Sequence, residues 1–189
     1  MSFKYNPSLD LLITNKGNPY LHNLMEQHYS HPKGFVARSI CYAIFYNQHF
    51  YGYITGGSAT KHLPNRNEYF GINTSQLNSI VNNTFFHIER VDHKYPTRNF
   101  IPSILATFRH SISTDWFNKY GDKVIGFETL IELPLTGYSY LRDGWTIIGQ
   151  TKGYTCKRIG GKGTDSWGGK RVWNKDVLKP KLVLVHKND

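Results

Sequence analysis

Residues 83–131 read NTFFHIERVDHKYPTRNFIPSILATFRHSISTDWFNKYGDKVIGFETLI, and this stretch decides the fold. Asn83–Val91 is rich in Thr, Phe, Ile and Val, which suit a pleated, half-buried surface, so it reads as a central strand. From about Arg98 to Lys119 the apolar residues Ile101, Leu105, Phe108 and Ile112 recur at helical spacing. Lys123–Ile131 then returns to strand composition. A strand, a long helix and a second strand form a crossover, the connection that parallel neighbours in a sheet require.

Working outward, Asn18–Ser30 reads as a helix, with Asn18 as cap, Pro19 at its first position, and Tyr20, Leu24 and Met25 on one face. SICYAIFYN and FYGYITGG, separated by Gln48–His49, form a hairpin signal. Ile40, Tyr42, Ile44 and Tyr46 share a face of the first strand, and Tyr51, Tyr53 and Thr55 a face of the second. Thr74–Val81 is a short helix capped by Thr74. Gly137–Asp143 is another, ended by Gly144. Trp145–Thr151 and the terminal KLVLVH are strands. Hairpins mixed with a crossover predict an α/β chain with a mixed central sheet flanked by helices. Residues 1–155 form the expected core, and 156–189 a basic tail whose terminal strand packs on it.

The formal net charge of +10 is unevenly spread. Residues 1–149 hold thirteen basic and ten acidic side chains, whereas 150–189 hold ten basic and three acidic. In the latter, Lys157, Arg158, Lys170 and Arg171 alternate with glycines, Trp167 and Trp173. Such a segment can neutralise phosphates and offer planes for stacked bases, so DNA is the expected partner. No apolar run is long enough to span a bilayer, and the N-terminus has no signal-like apolar core, which excludes a membrane partner and favours the cytoplasm. Cys41 and Cys156 form no CxxC pair and read as reduced thiols. The histidines show no HxxxH or HExxH spacing. There is no P-loop and no GxSxG elbow, which argues against zinc, nucleotide and serine hydrolases. A homodimer is compatible with the sequence.

The order of elements matches the GNAT acyltransferase fold. Several segments also carry a resemblance. GGSATKHLPNRNEYFGI (56–72), followed by LNSIVNNTFFHIERV (77–91), resembles the core of the Druantia-type anti-phage domain. Glu89 through PTRN to FETLIELPLTGYSYLRDGWTIIGQTKG (127–153) resembles both that domain and the phage Mom DNA-modification proteins, as does HYS at 28–30. The resemblance covers roughly residues 25–155. It implies a GNAT-like fold and, in the Mom branch, a phage-encoded enzyme in a bacterial host. That enzyme would modify the exocyclic amine of adenine to protect phage DNA from restriction, using acetyl-CoA or a related acyl-CoA and iron. Two alternatives stand beside it: a non-catalytic nucleic-acid-binding module of the Druantia type, and a GNAT acting on a non-DNA amine.

The residues suggest where such chemistry would sit. The PTRN loop precedes the long helix, whose N-terminus favours anions, so Thr97, Arg98, Asn99 and Ser103 are the residues expected to meet the cofactor phosphates. The glycines usual in a GNAT loop are replaced here by Pro96 and Thr97. Read with Thr97 as a simple cap, the same residues are only a helix start. Glu132 and Tyr140 correspond to the carboxylate and tyrosine of the Mom pattern and His28 to its histidine, which implies an iron site of His28, Glu132 and Tyr140. Glu128 lies four residues before Glu132 on one strand, and the pair could raise one pKa and supply a general base, giving Glu128, Glu132 and Tyr140 as catalytic candidates. Tyr29, Tyr42 and Tyr53 could line a base pocket, or pack across strands.

Overall fold

In the computed structural model, seven strands form one sheet in the order β1-β2-β3-β4-β5-β9-β6, with a separate β7-β8 hairpin. The structure describes residues 8–30, 32, 34–35, 38–89, 95–159 and 170–188, with 155–159 and 170–177 described in backbone only. The strands are β1 (Leu9–Thr14), β2 (Ser39–Tyr46), β3 (His49–Ser58), β4 (Ile80–Ile88), β5 (Gly126–Glu132), β6 (Thr146–Gln150), β7 (Tyr154–Ile159), β8 (Lys170–Leu178) and β9 (Lys181–Lys187). The helices are α1 (Pro19–Gln27), α2 (Arg66–Phe70), α3 (Phe100–Tyr120) and α4 (Tyr138–Arg142), with a 3₁₀ turn at Thr74–Ser79. Among the described residues all pairings are antiparallel except β4–β5, which the α3 crossover makes parallel. The mixed α/β sheet flanked by helices is the architecture expected. No described helix is long and apolar enough to cross a membrane.

The sheet is buried on both faces because its strands carry apolar residues at both parities. Ile40, Tyr42 and Ile44 of β2 join Ile54, Val81 and Phe127 against Ile104, Leu105, Phe108, Ile112 and Trp116 of α3. Cys41 and Ala43 join Tyr53 and Phe85 against Leu21, Leu24 and Met25 of α1. Each such aromatic or aliphatic side chain stabilises the fold by roughly 1.5–3 kcal/mol on burial. Gly56 allows the close approach of α3, since a Cβ there would lie 2.1 Å from Ile112 Cδ1.

Local chemistry moves several expected boundaries. Asn18 caps α1, but Leu21 takes the buried position expected of Tyr20, which is 43% exposed. The β2–β3 turn is Asn47–Gln48, both at positive φ (48° and 66°), the sign that a two-residue hairpin turn of type I′ demands. Tyr51 and Tyr53 do not share a face. The register runs Phe45↔Phe50 then Ile44↔Gly52, so Tyr51 is bulged out and packs on the α3 side. Asn73, not Thr74, caps the 3₁₀ turn through a capping box with Gln76, and β4 begins at Ile80. Asn99, not Thr97, occupies the cap of α3, and its side chain makes no capping bond. The terminal strand β9 is a member of the sheet, inserted between β5 and β6, so the expected tail at 156–189 contains a core element preceded by the β7–β8 hairpin.

Candidate functional site

β4 and β5 are paired only from Ile80↔Gly126 to Asn83↔Thr129, although β4 continues to Ile88 and β5 to Glu132. Beyond Asn83 the two strands part. The β3–β4 register skips Thr84 at the same level, between Thr55↔Phe85 and Gly56↔Asn83. That bulge bends β4 away and takes Thr84 out of the ladder. A cavity of about 510 Å³ opens in the fork, within the range of small-molecule sites. Its walls are Asn82–Phe86 of β4, Thr129–Ile131 of β5, the segment 135–140 leading into α4, and His28–Ser30 beyond α1.

Tyr140 lies at this fork, 8% exposed, with its hydroxyl donating to Asn83 Oδ1 at 2.5 Å. Burial pushes its pKa well above the usual phenol value, so it is a protonated hydroxyl at neutral pH. α4 is held by its neighbours: Arg109 of α3 pairs with the buried Asp143, which also accepts Trp145 Nε1 at 2.9 Å. Burial lifts Asp143 to about 6, against the pull of Arg109. Among the described residues Asp143 Oδ1 has no hydrogen-bond partner.

His28 is the C-cap residue of α1. Its Nδ1 accepts the Ser30 N–H at 3.3 Å and lies 2.8 Å from Ser30 Oγ. Its Nε2 lies 3.2 Å from the Phe86 carbonyl, which can only accept, so the ring proton sits on Nε2. Tyr29 is 48% exposed at the cavity mouth, its ring centroid 4.3 Å from that of His28. Burial and then Glu132 raise its pKa.

The structure therefore sorts the sequence candidates. Tyr140, His28 and Tyr29 meet at one cavity. Glu128 does not join them. It is fully buried, paired with the equally buried Arg66 and bonded by the Thr60 N–H at 2.6 Å. Burial raises its pKa, while Arg66 and the Thr60 amide oppose the rise. Glu132 stands apart from it, with Lys181 Nζ at 3.5 Å and Lys179 Nζ at 3.8 Å. With a cation beside each carboxylate, the two do not form the like-charge pair that a shared proton needs. Tyr42 is a core residue, 0% exposed, its hydroxyl donating to Asp115 at 2.6 Å. Tyr53 is buried beside Phe50 and Tyr20. Neither can stack on a base. Lys157, Arg158, Lys170 and Arg171 lie on the β7–β8 hairpin, with Arg158 opposite Arg171, and their side chains fall outside the described residues.

His28, Glu132 and Tyr140 do not fit iron. The phenol hydroxyl is bonded to Asn83, the carboxylate is paired with two lysines, and the imidazole nitrogens face Ser30 and a carbonyl. Among the described residues no three or more His, Cys, Asp or Glu side chains gather as a metal site.

At the N-terminus of α3, Thr97 and Arg98 are exposed. Asn99 Oδ1 accepts from Arg142 at 2.7 Å. The Phe100 N–H goes to Thr97 O and the Ser103 N–H to Asn99 O, and Pro102 has none. This end therefore offers an anion fewer backbone donors than a glycine loop would, and places two arginines beside it. Asn83, Arg66, Arg109 and Asp143 were not among the sequence candidates. The signal for the first was the pair Asn82-Asn83 inside a strand, where asparagine is disfavoured unless its side chain is given hydrogen-bond partners.

No protein-family profile matches the sequence, and no curated protein is significantly similar to it. Solved structures do share its fold. A GNAT family acetyltransferase from Elizabethkingia anophelis with acetyl-CoA bound matches with TM-score 0.53 and 11% identity, over 97% of this chain and 100% of the other. The RimL ribosomal L7/L12 alpha-N-protein acetyltransferase in complex with coenzyme A matches with TM-score 0.52 and 12% identity, over 97% and 96%. A spermidine N-acetyltransferase SpeG chimera from Vibrio cholerae and hSSAT matches with TM-score 0.52 and 8% identity, over 95% of each. The chain has the GNAT fold.

Proposed function

We propose that this protein transfers an acyl group from a CoA thioester to an amine. The observation that carries the reading is the fork between β4 and β5, with its cavity and the neutral hydroxyl of Tyr140 at its apex. Two parallel strands that part create a slot where an extended thiol arm lies beside unpaired strand edge, and the Thr84 bulge frees backbone at that level. The acetyl-CoA or CoA in two of the structural neighbours supports a cofactor of this class.

A CoA thioester supplies an activated acyl carbon. The chain supplies position, dryness and protons. Arg98 and Arg142 flank the α3 N-terminus, where the diphosphate would lie. The amine nitrogen bonds to the acyl carbon as the carbon–sulfur bond breaks. Tyr140 gives its proton to the departing sulfur, and solvent restores it. The amine's proton leaves toward the polar mouth formed by His28 and Ser30. The test is thiol release from acetyl-CoA with spermidine, a serine-initiated peptide or an adenine-containing oligonucleotide as acceptor, beside calorimetry with CoA. Thiol release with one acceptor supports the reading. Absence of both CoA binding and thiol release overturns it.

A second reading narrows the acceptor to the exocyclic amine of adenine in DNA. Its support is the charge of 150–189, ten basic against three acidic residues, together with the resemblance to Mom proteins. The base would have to leave the duplex to reach the fork. On this reading DNA affinity falls log-linearly with salt. Replacing Lys157, Arg158, Lys170 and Arg171 by alanine then reduces the slope by about one for each phosphate that is no longer neutralised. Affinity independent of salt, with only unmodified nucleosides by mass spectrometry after incubation with acetyl-CoA, removes it and leaves a non-DNA amine.

A further inference from the structure

We infer that Asn83 is the positioning residue that sets the Tyr140 hydroxyl at the fork; this rests on the acyl-transfer reading above. Asn83 occupies the last β4 position paired with β5 and immediately precedes the bulged Thr84. It is 5% exposed. Its Nδ2 donates to Thr55 O on β3 at 2.9 Å and to Phe85 O beyond the bulge at 3.2 Å. Both partners are carbonyls, so the amide cannot flip, and Oδ1 is left facing α4, where it accepts the Tyr140 hydroxyl. The Asn83 main-chain carbonyl accepts Thr129 Oγ1 of β5 at 3.0 Å. One residue thus joins β3, β4, β5 and α4 where the slot begins.

The chemistry explains why an amide stands there. A buried polar group is costly unless its bonds are made, and Asn83 makes them on both sides. Two donors lock the bulge, and one neutral acceptor holds the phenol oxygen. A carboxylate in its place would have no hydrogen for Thr55 O and Phe85 O, and would compete for the phenol proton. With Asn83, the Tyr140 oxygen stays in place while its O–H turns from Oδ1 to the sulfur. The proton leaves Oη for sulfur and is replaced from solvent.

The experiment is a double-mutant cycle on thiol release from acetyl-CoA, with water or spermidine as acceptor. Asn83→Ala and the near-isosteric Asn83→Asp are each made alone and with Tyr140→Phe, and thermal melts confirm folding. Alone, each Asn83 variant is expected to lower kcat about tenfold or more, with the KM for acetyl-CoA within about threefold of wild type. In the Tyr140→Phe background neither lowers kcat further, because Asn83 acts through the hydroxyl already removed. A further loss in that background overturns the inference, as does an unchanged kcat in folded Asn83 variants of an active enzyme. Wild-type protein that neither binds CoA nor releases thiol with any of the acceptors above refutes the acyl-transfer reading itself, a distinct outcome.

Discussion

Glu128 divides a catalytic from a structural account of β5, and Glu128→Ala tests the division. The Glu128 and Arg66 side chains are 0% and 1% exposed. Glu128 also accepts the Thr60 N–H, and Arg66 donates to Thr60 O at 2.9 Å and to Asn67 Oδ1 at 2.7 Å. Removing the carboxylate leaves a guanidinium in the interior without its counter-charge, a loss of about 3–5 kcal/mol. For a chain of this size each kcal/mol moves Tm by roughly 2–4 °C, so a fall of about 6–20 °C is expected. Urea unfolding followed by fluorescence reads the change in free energy, and a melt reads Tm. The double variant Arg66→Met, Glu128→Met should be less damaged than the two single losses added, by about 1–3 kcal/mol, because neither charge is then stranded. At a temperature where Glu128→Ala is folded, its thiol release from acetyl-CoA should match wild type within about threefold. A variant as stable as wild type that has lost turnover would refute this reasoning and restore Glu128 as a base.

Asp143 has a folded-state pKa lifted from 3.8 to about 6, so the folded protein binds more protons than the unfolded chain between those values. Its contribution therefore favours folding at low pH and is lost as pH rises through 6. It is worth about 1–3 kcal/mol, and Asp143→Asn should flatten that part of the urea stability profile between pH 4 and 6. Gly56→Ala drives a Cβ into Ile112 and Val81 and should cost about 1–3 kcal/mol in urea unfolding without moving the fork. Glu132→Gln removes only partly exposed ion pairs with Lys179 and Lys181, so stability should change by less than about 1 kcal/mol and thiol release should persist. A large loss of turnover in Glu132→Gln would return Glu132 to the catalytic set.

The fold was legible because its signals are local. The Ile101, Leu105, Phe108, Ile112 spacing marked α3, Asn18-Pro19 marked the start of α1, and two β-rich runs around α3 required a parallel pair. The bulge at Tyr51 was hidden, since alternation in FYGYIT continues through it and only pairing with β2 reveals the extra residue. β1 and α2 were not read as elements. LDLLIT lacks clean alternation, and α2 is a single turn that begins at Arg66, whose burial depends on a carboxylate 62 residues away.

The site divides along the same line. The resemblance to the Mom pattern marked Tyr140 and His28, the stacking plane of a tyrosine marked Tyr29, and local pattern placed Tyr140 on a short helix after the crossover. Which carboxylate meets a cation, which tyrosine enters the core and which asparagine faces a hydroxyl depend on packing between residues far apart in sequence. Glu128 and Glu132 have identical side chains four residues apart on one strand. Only the packing of Arg66 over one, and of Lys179 and Lys181 beside the other, separates them. Periodicity reports a residue's neighbours along the chain. Burial and pKa answer to neighbours in space, and those exist only once β4 and β5 have met and parted.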